Sequence, residues 1–206
     1  MDEIRNLSAR QLDALREVAN IGAGHAATAL SLMTGQTIMI SVPRLVVSAV
    51  NEIPNHVKER EEPVAAVLLR MLGDLTGLTL LVLPQTTALR VAEMMARKPR
   101  GTFTELGEYE QSAIREAGNI LSSAYLNALA EFMGMILLPS PPVLEIDMSD
   151  AILTSTYLES SQETDLVFVV ESEFYLTEIK EQLRGFFLLL PDKASLEQIL
   201  KAVRLE

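Results

Sequence analysis

Two sets of side chains recur along this chain at a constant offset. Asp13, Glu17 and Asn20 are followed by Pro43, and Ser112, Glu116 and Asn119 are followed by Pro142. The offset is 99 residues, and 22 residues separate Asn from Pro in each copy. A carboxamide cannot act as a general base. It can hold a water, accepting one hydrogen bond and donating another. A Glu beside it can accept a charged hydrogen bond from a lysine brought by another molecule. Such a pair has no nucleophile, metal cluster or oxyanion hole of its own. It would suffice where the substrate supplied the phosphoryl group, the metal and the lysine, since phosphoryl transfer needs mainly a water held in line.

The recurrence extends beyond these positions. Between 13–43 and 112–142, ten of 31 positions are identical without a gap, among them Arg16/Arg115, Ile21/Ile120, Gly35/Gly134 and Ser41/Ser140. About two identities are expected by chance at ordinary composition. The chain therefore reads as a duplication. On a helix, positions 13, 17 and 20 fall within about 60° of one another. The stripe continues through Gly24, Thr28 and Ser31, and in the second copy through Ser123 and Asn127. An exposed Glu or Asn is ordinarily just solvated. Here the pair recurs at one spacing, and Asn is a poor residue for a helix interior. Common descent of the two halves could also preserve the pattern.

The elements that carry these stripes can be read from periodicity. Ser8 is an N-cap for a helix ending at Gly35, with Leu12, Leu15, Ala19, Gly22, Ala26, Leu30 and Met33 inward. A strand at 37–42 is expected to stop at Pro43, followed by a second strand at 44–50. Segments 64–72 and 78–83 read as a hairpin, and 85–97 as a helix after Pro84. The plan then restarts after a linker at 98–101. Thr104 is the expected cap of the second long helix, which runs to Gly134. Strands at 137–138 and 143–146, a hairpin at 165–174 and 184–190, and a helix at 194–203 after Pro191 complete it. About eight extra residues in the second copy fall in 148–164. The expectation is an α+β fold: one unit of residues 1–206 made of two repeats, about 8–98 and 104–206. Helices lie on one face of a continuous antiparallel-rich sheet, and the two long helices lie side by side about a pseudo-two-fold.

Composition narrows the function classes. The net charge of −11 and the absence of a basic stripe argue against nucleic acid. With no cysteine, disulfides, thiolate catalysis and cysteine metal sites are excluded. No apolar run reaches membrane-spanning length, and the N-terminus has no signal-type core, so a cytoplasmic location is expected. His25 reads as a surface histidine, His56 as a loop residue, and 59–62 as a solvated run. Gly22 and Gly24 read as sites of close helix packing.

At the recurring residues the sequence resembles the CheC/CheX/FliY phosphatase family of chemotaxis proteins. The shared pattern is Asp or Ser, three residues, Glu, two residues, Asn, 22 residues, Pro, and both copies fit it. Asn20-Ile21-Gly22-Ala23-Gly24 and Glu116-Ala117-Gly118-Asn119-Ile120 also resemble the CheC branch. The resemblance implies a hydrolase acting on the aspartyl phosphate of phosphorylated CheY. Asn20 and Asn119 would orient the attacking water, and Glu17 and Glu116 would pair with the substrate's lysine. Asp13 and Ser112 would sit at the rim, with Pro43 and Pro142 structural. It implies no cofactor bound by this chain, Mg²⁺ arriving with CheY. It also implies a second partner, CheD, for which the expected contact is Asp147, Met148 and Ile152. The alternatives are a non-catalytic adaptor that binds CheD or CheY, and a flagellar-switch component. The latter is less expected because the sequence ends at Glu206, without the further domain of FliY.

Overall fold

The protein was analysed as a computed structural model, which describes residues 7–56, 62–160, 166–177 and 180–204. The 59–62 run lies outside them except for Glu62. Helix α1 spans Ala9–Thr34, strand β1 Ile38–Ala49, and a 3-10 turn at Val50–Glu52 leads into α2, Ile53–His56. The hairpin β2 (Pro63–Gly73) and β3 (Gly77–Pro84) is followed by α3, Gln85–Met95. The second half repeats this order: α4 (Glu108–Met133), β4 (Leu137–Pro139), β5 (Val143–Met148), α5 (Ser149–Ser160), β6 (Leu166–Leu176), β7 (Glu181–Pro191) and α6 (Lys193–Arg204).

Among the described residues seven strands form one sheet, ordered β1-β6-β7-β3-β2-β4, with β5 also on β2. Every pairing is antiparallel. The halves exchange strands. β1 of the first half pairs with β6 of the second, and β5 of the second pairs with β2 of the first. The two hairpins meet at the centre through β3 and β7, with Leu80 opposite Leu188 and Val82 opposite Phe186. The fold is thus α+β, and the duplication shows in a strand order that reads the same from either edge.

Alternation along the central strands separates the two faces. Leu81, Leu83, Phe187 and Leu189 point to a core shared with α1, α3, α4 and α6. On this side α1 and α4 lie side by side, α3 packs on α4, and α6 on α1. The other face carries Leu78, Leu80, Val82, Phe186, Leu188 and Leu190, covered by Ile53, Ile152 and Leu153. Helices therefore lie on both faces, where one was expected. A short apolar β3 or β7 run shows burial on both sides but not what provides it.

Three local expectations are corrected. β1 does not stop at Pro43 but continues to Ala49 as one edge strand. Proline is tolerated there because the register slips: Ser41 faces Glu173 while Arg44 faces Glu171, so three steps on β1 match two on β6. This is a bulge, and a bulge on an edge strand leaves room for a residue with no N–H. The second copy behaves alike: four steps from Pro139 to Val143 match three from Met71 to Leu68. The break holds Pro141 and Pro142, and there the strand divides into β4 and β5. Helix α4 is capped by Gly107, not Thr104, with Glu108 and Glu110 in its first turn, where carboxylates favour the helix dipole. Met33 is exposed, and Thr34 takes the buried position instead. Among the described residues no helix is long and apolar enough to cross a membrane.

Candidate functional site

Helix α1 is capped at both ends, and α4 at its C-terminus. Ser8 accepts from the Gln11 backbone N–H at 3.3 Å, and Gln11 Oε1 accepts from Ser8 N–H at 2.8 Å, a reciprocal cap. Gly35 closes α1 in the left-handed conformation at φ 71°, and Arg97 donates to the Met33 carbonyl at 3.1 Å. Gly134 closes α4 in the same way at φ 64°.

The inward faces set the outward ones. Leu15, Val18, Ala19, Gly22, Ala23 and Ala26 are buried on α1. Asp13, Glu17, Asn20, Gly24 and Thr28 are consequently all exposed, as their spacing requires. On α4, Ser112, Glu116 and Asn127 are exposed, while Asn119 and Ser123 are half-buried. The stripes therefore emerge on the outer side of the helical layer, away from the sheet. Among the described residues, no hydrogen bond engages the side chains of Asp13, Glu17, Asn20 or Glu116.

The two copies differ in what surrounds the motif. Arg16 donates to the Pro43 carbonyl at 3.3 Å, tying α1 to the bulge of β1. Arg115, its counterpart, turns instead to Ser112 Oγ at 3.3 Å. Ser123 Oγ lies 3.5 Å from Asn119 Oδ1. At the matching position, Gly24 has open space where a Cβ would stand, so the close packing expected of it is found only at Gly22. Pro43 is exposed at the bulge, and Pro142 is half-buried in the break between β4 and β5. Ile21, beside Asn20, is an exposed apolar residue, 44% accessible. Its counterpart Ile120 is half-buried and packs against the core.

The remaining expected contact is split. Asp147 and Met148 are exposed at the end of edge strand β5. Ile152 is 2% exposed, packed beneath the sheet, so it is not a surface contact as expected. An amphiphilic turn at the start of α5 leaves one face for the core, which the polar composition of 148–164 concealed.

A second polar cluster resembles a catalytic arrangement but has the wrong polarity. His56 lies in α2, not in a loop. Its Nδ1 must accept from Arg44 at 3.2 Å, because guanidinium only donates. Nε2–H then donates to Ser48 Oγ at 2.9 Å, and Ser48 donates to Glu52 at 3.0 Å. The imidazole thus cannot take the Ser48 proton. Burial, with Arg44 adding to it, lowers the His56 pKa. His25 is exposed on α1. Among the described residues no three His, Asp or Glu side chains gather as a metal site.

The CheC-like family model matches two segments, 11–47 and 110–146, which are themselves 99 residues apart and contain the two motifs. The chain is 33% identical over 205 residues to the CheY-P phosphatase CheC of Bacillus subtilis strain 168, spanning 98% of each. This chain belongs to the CheC-like family. It is also 30% identical over 145 residues to the flagellar motor switch phosphatase FliY of the same organism, covering 70% of this chain and 38% of that protein. The Thermotoga maritima FliY structure shares the fold, with a TM-score of 0.80 at 24% identity, covering 96% of this chain and 98% of that one. Both family segments begin on a motif helix and end in the strand beyond the motif proline, so the matched unit is helix, bulge and strand together.

Proposed function

We propose that this member of the CheC-like family is a hydrolase that removes the aspartyl phosphate of phosphorylated CheY. The observation that carries the reading is the outward presentation of both Glu/Asn pairs on two long, glycine-terminated helices, with Glu17, Asn20 and Glu116 unengaged among the described residues. The name of its CheC relative supplies the substrate, and that of its FliY relative the phosphatase class.

In this reading the Asn carboxamide enters the substrate's site and accepts a hydrogen bond from a water. That aims the water's lone pair at phosphorus. The new P–O bond forms from water, the P–O bond to the aspartyl oxygen breaks, and the aspartate carboxylate and inorganic phosphate result. The water's proton leaves with phosphate or solvent. Glu17 or Glu116 pairs with the substrate's lysine and fixes the docked geometry. Mg²⁺ comes with CheY, where it neutralises charge on the phosphoryl oxygens. Asp13 and Ser112 form the rim. Pro43 and Pro142 stand where the register slips in each copy, and Arg16 links the first to its motif helix.

The reading also gives the outer end of β5, with Asp147 and Met148 exposed, to CheD. Loss of CheD binding in Met148→Glu, with phosphatase activity retained, is the expected outcome. The phosphatase itself is tested by following the decay of phosphorylated CheY with Mg²⁺. Acceleration at substoichiometric protein supports hydrolysis, whereas a stoichiometric effect alone would favour an adaptor.

A further inference from the structure

Mid-helix hydroxyls usually donate back to the carbonyl four residues earlier. Thr28 does so to Gly24 at 3.0 Å, as does Thr34, in the last turn of α1, to Leu30 at 2.8 Å. Ser123 differs: its hydroxyl is directed at the side chain of Asn119, Oγ to Oδ1 at 3.5 Å. The contact pairs the hydroxyl with the amide oxygen, the one carboxamide atom that can accept. Asn119 is half-buried where Asn20 is exposed. The matching residue on α1 is Gly24, which has no side chain to offer and open space around it. The rim differs in the same sense: Ser112 is engaged by Arg115, and Asp13 has no such partner among the described residues.

We propose that Ser123 is a positioning residue that pre-orients the Asn119 carboxamide, so that the two sites are chemically unequal: the α4 site is aligned before substrate arrives and the α1 site is not. This rests on the phosphatase reading above. The bond is long for a hydroxyl donor, and catalytic hydrogen bonds commonly tighten when the reacting complex forms. Oδ1 has a second lone pair, so it can accept from Ser123 and from the attacking water together.

The test uses single-site backgrounds and decay of phosphorylated CheY. In Asn20→Ala, which leaves only the α4 site, Ser123→Ala should lower kcat about three- to tenfold with KM unchanged, as one modest hydrogen bond allows. Ser123→Thr, which keeps the hydroxyl, should recover most of it. In Asn119→Ala the Ser123→Ala change should do nothing. An unchanged kcat in Asn20→Ala/Ser123→Ala would overturn the proposal. So would an equal fall in both backgrounds, or an Asn20→Ala protein with no activity beside an active Asn119→Ala. In those outcomes the phosphatase reading stands. Full activity in Asn20→Ala/Asn119→Ala would overturn both.

Discussion

Gly22 of α1 lies against Tyr125 of α4 with no room for a methyl group. A Cβ there would stand 2.9 Å from the Tyr125 Cα and 2.8 Å from its ring. The ring cannot retreat, because it stacks on Phe187 at 4.5 Å and its hydroxyl pairs with Ser172 at 2.8 Å. Burial pushes that hydroxyl's pKa up to about 12.

Gly22→Ala should therefore force the two motif helices apart and cost about 1–3 kcal/mol. Gly24→Ala meets nothing and should be neutral or add about 0.5–1 kcal/mol through helix propensity. Urea denaturation of the two variants gives the comparison. Similar midpoints for both would contradict the close contact at Gly22.

Much of this arrangement was legible in the sequence. The Glu/Asn stripes could be placed outward because the apolar positions between them keep helical spacing, and the duplication supplied each site twice. What escaped was non-local. Nothing in the residues of β1 states that it pairs with β6 of the other half, and its continuation past Pro43 depends on its being an edge strand. Met33 fits the spacing but stands in the last turn, where Thr34 turns inward and bonds Leu30. Ser123 and Asn119 were visible as neighbours on a stripe, but the rotamer that joins them was not.

Arg90 is a buried cation on α3, its side chain 6% exposed, held by Glu181 at 2.7 Å and Glu93 at 3.4 Å. Glu93 also accepts from the Phe103 N–H at 3.2 Å, so the network joins the connection between α3 and α4 to the second hairpin. Arg90→Met should cost about 3–5 kcal/mol by leaving Glu93 without a cation and Glu181 with only the exposed Arg100, at 3.2 Å. Adding Glu93→Gln and Glu181→Gln should recover part of this. Thermal midpoints of the single and triple variants check it; a triple variant no more stable than the single would contradict the charge argument.

Asp192 caps α6 and joins it to the β2–β3 turn, accepting from the Ser195 N–H at 2.7 Å and from the Thr76 hydroxyl. Burial raises its pKa, but the hydrogen bonds from Thr76, Ser195 and Ala194 outweigh this and hold it below the ordinary value of 3.8. A depressed carboxylate adds stability that is present above its unfolded pKa and lost as pH falls through the folded one. Asp192→Ala should cost about 1–2 kcal/mol near neutrality, from the lost cap. The gap from the parent protein should narrow below about pH 4. A gap independent of pH would contradict the ionised cap.

The most direct test of the water-positioning role is the rate of phosphate loss from phosphorylated CheY, with Mg²⁺, in the presence of Asn20→Ala/Asn119→Ala. Because Asn20 is exposed and Asn119 half-buried on the outer side of the helical layer, the double variant should keep its circular dichroism and thermal midpoint. The account predicts that CheY then loses phosphate at its own unassisted rate, with each single variant retaining activity. A double variant that accelerates the decay as well as the parent protein would contradict it.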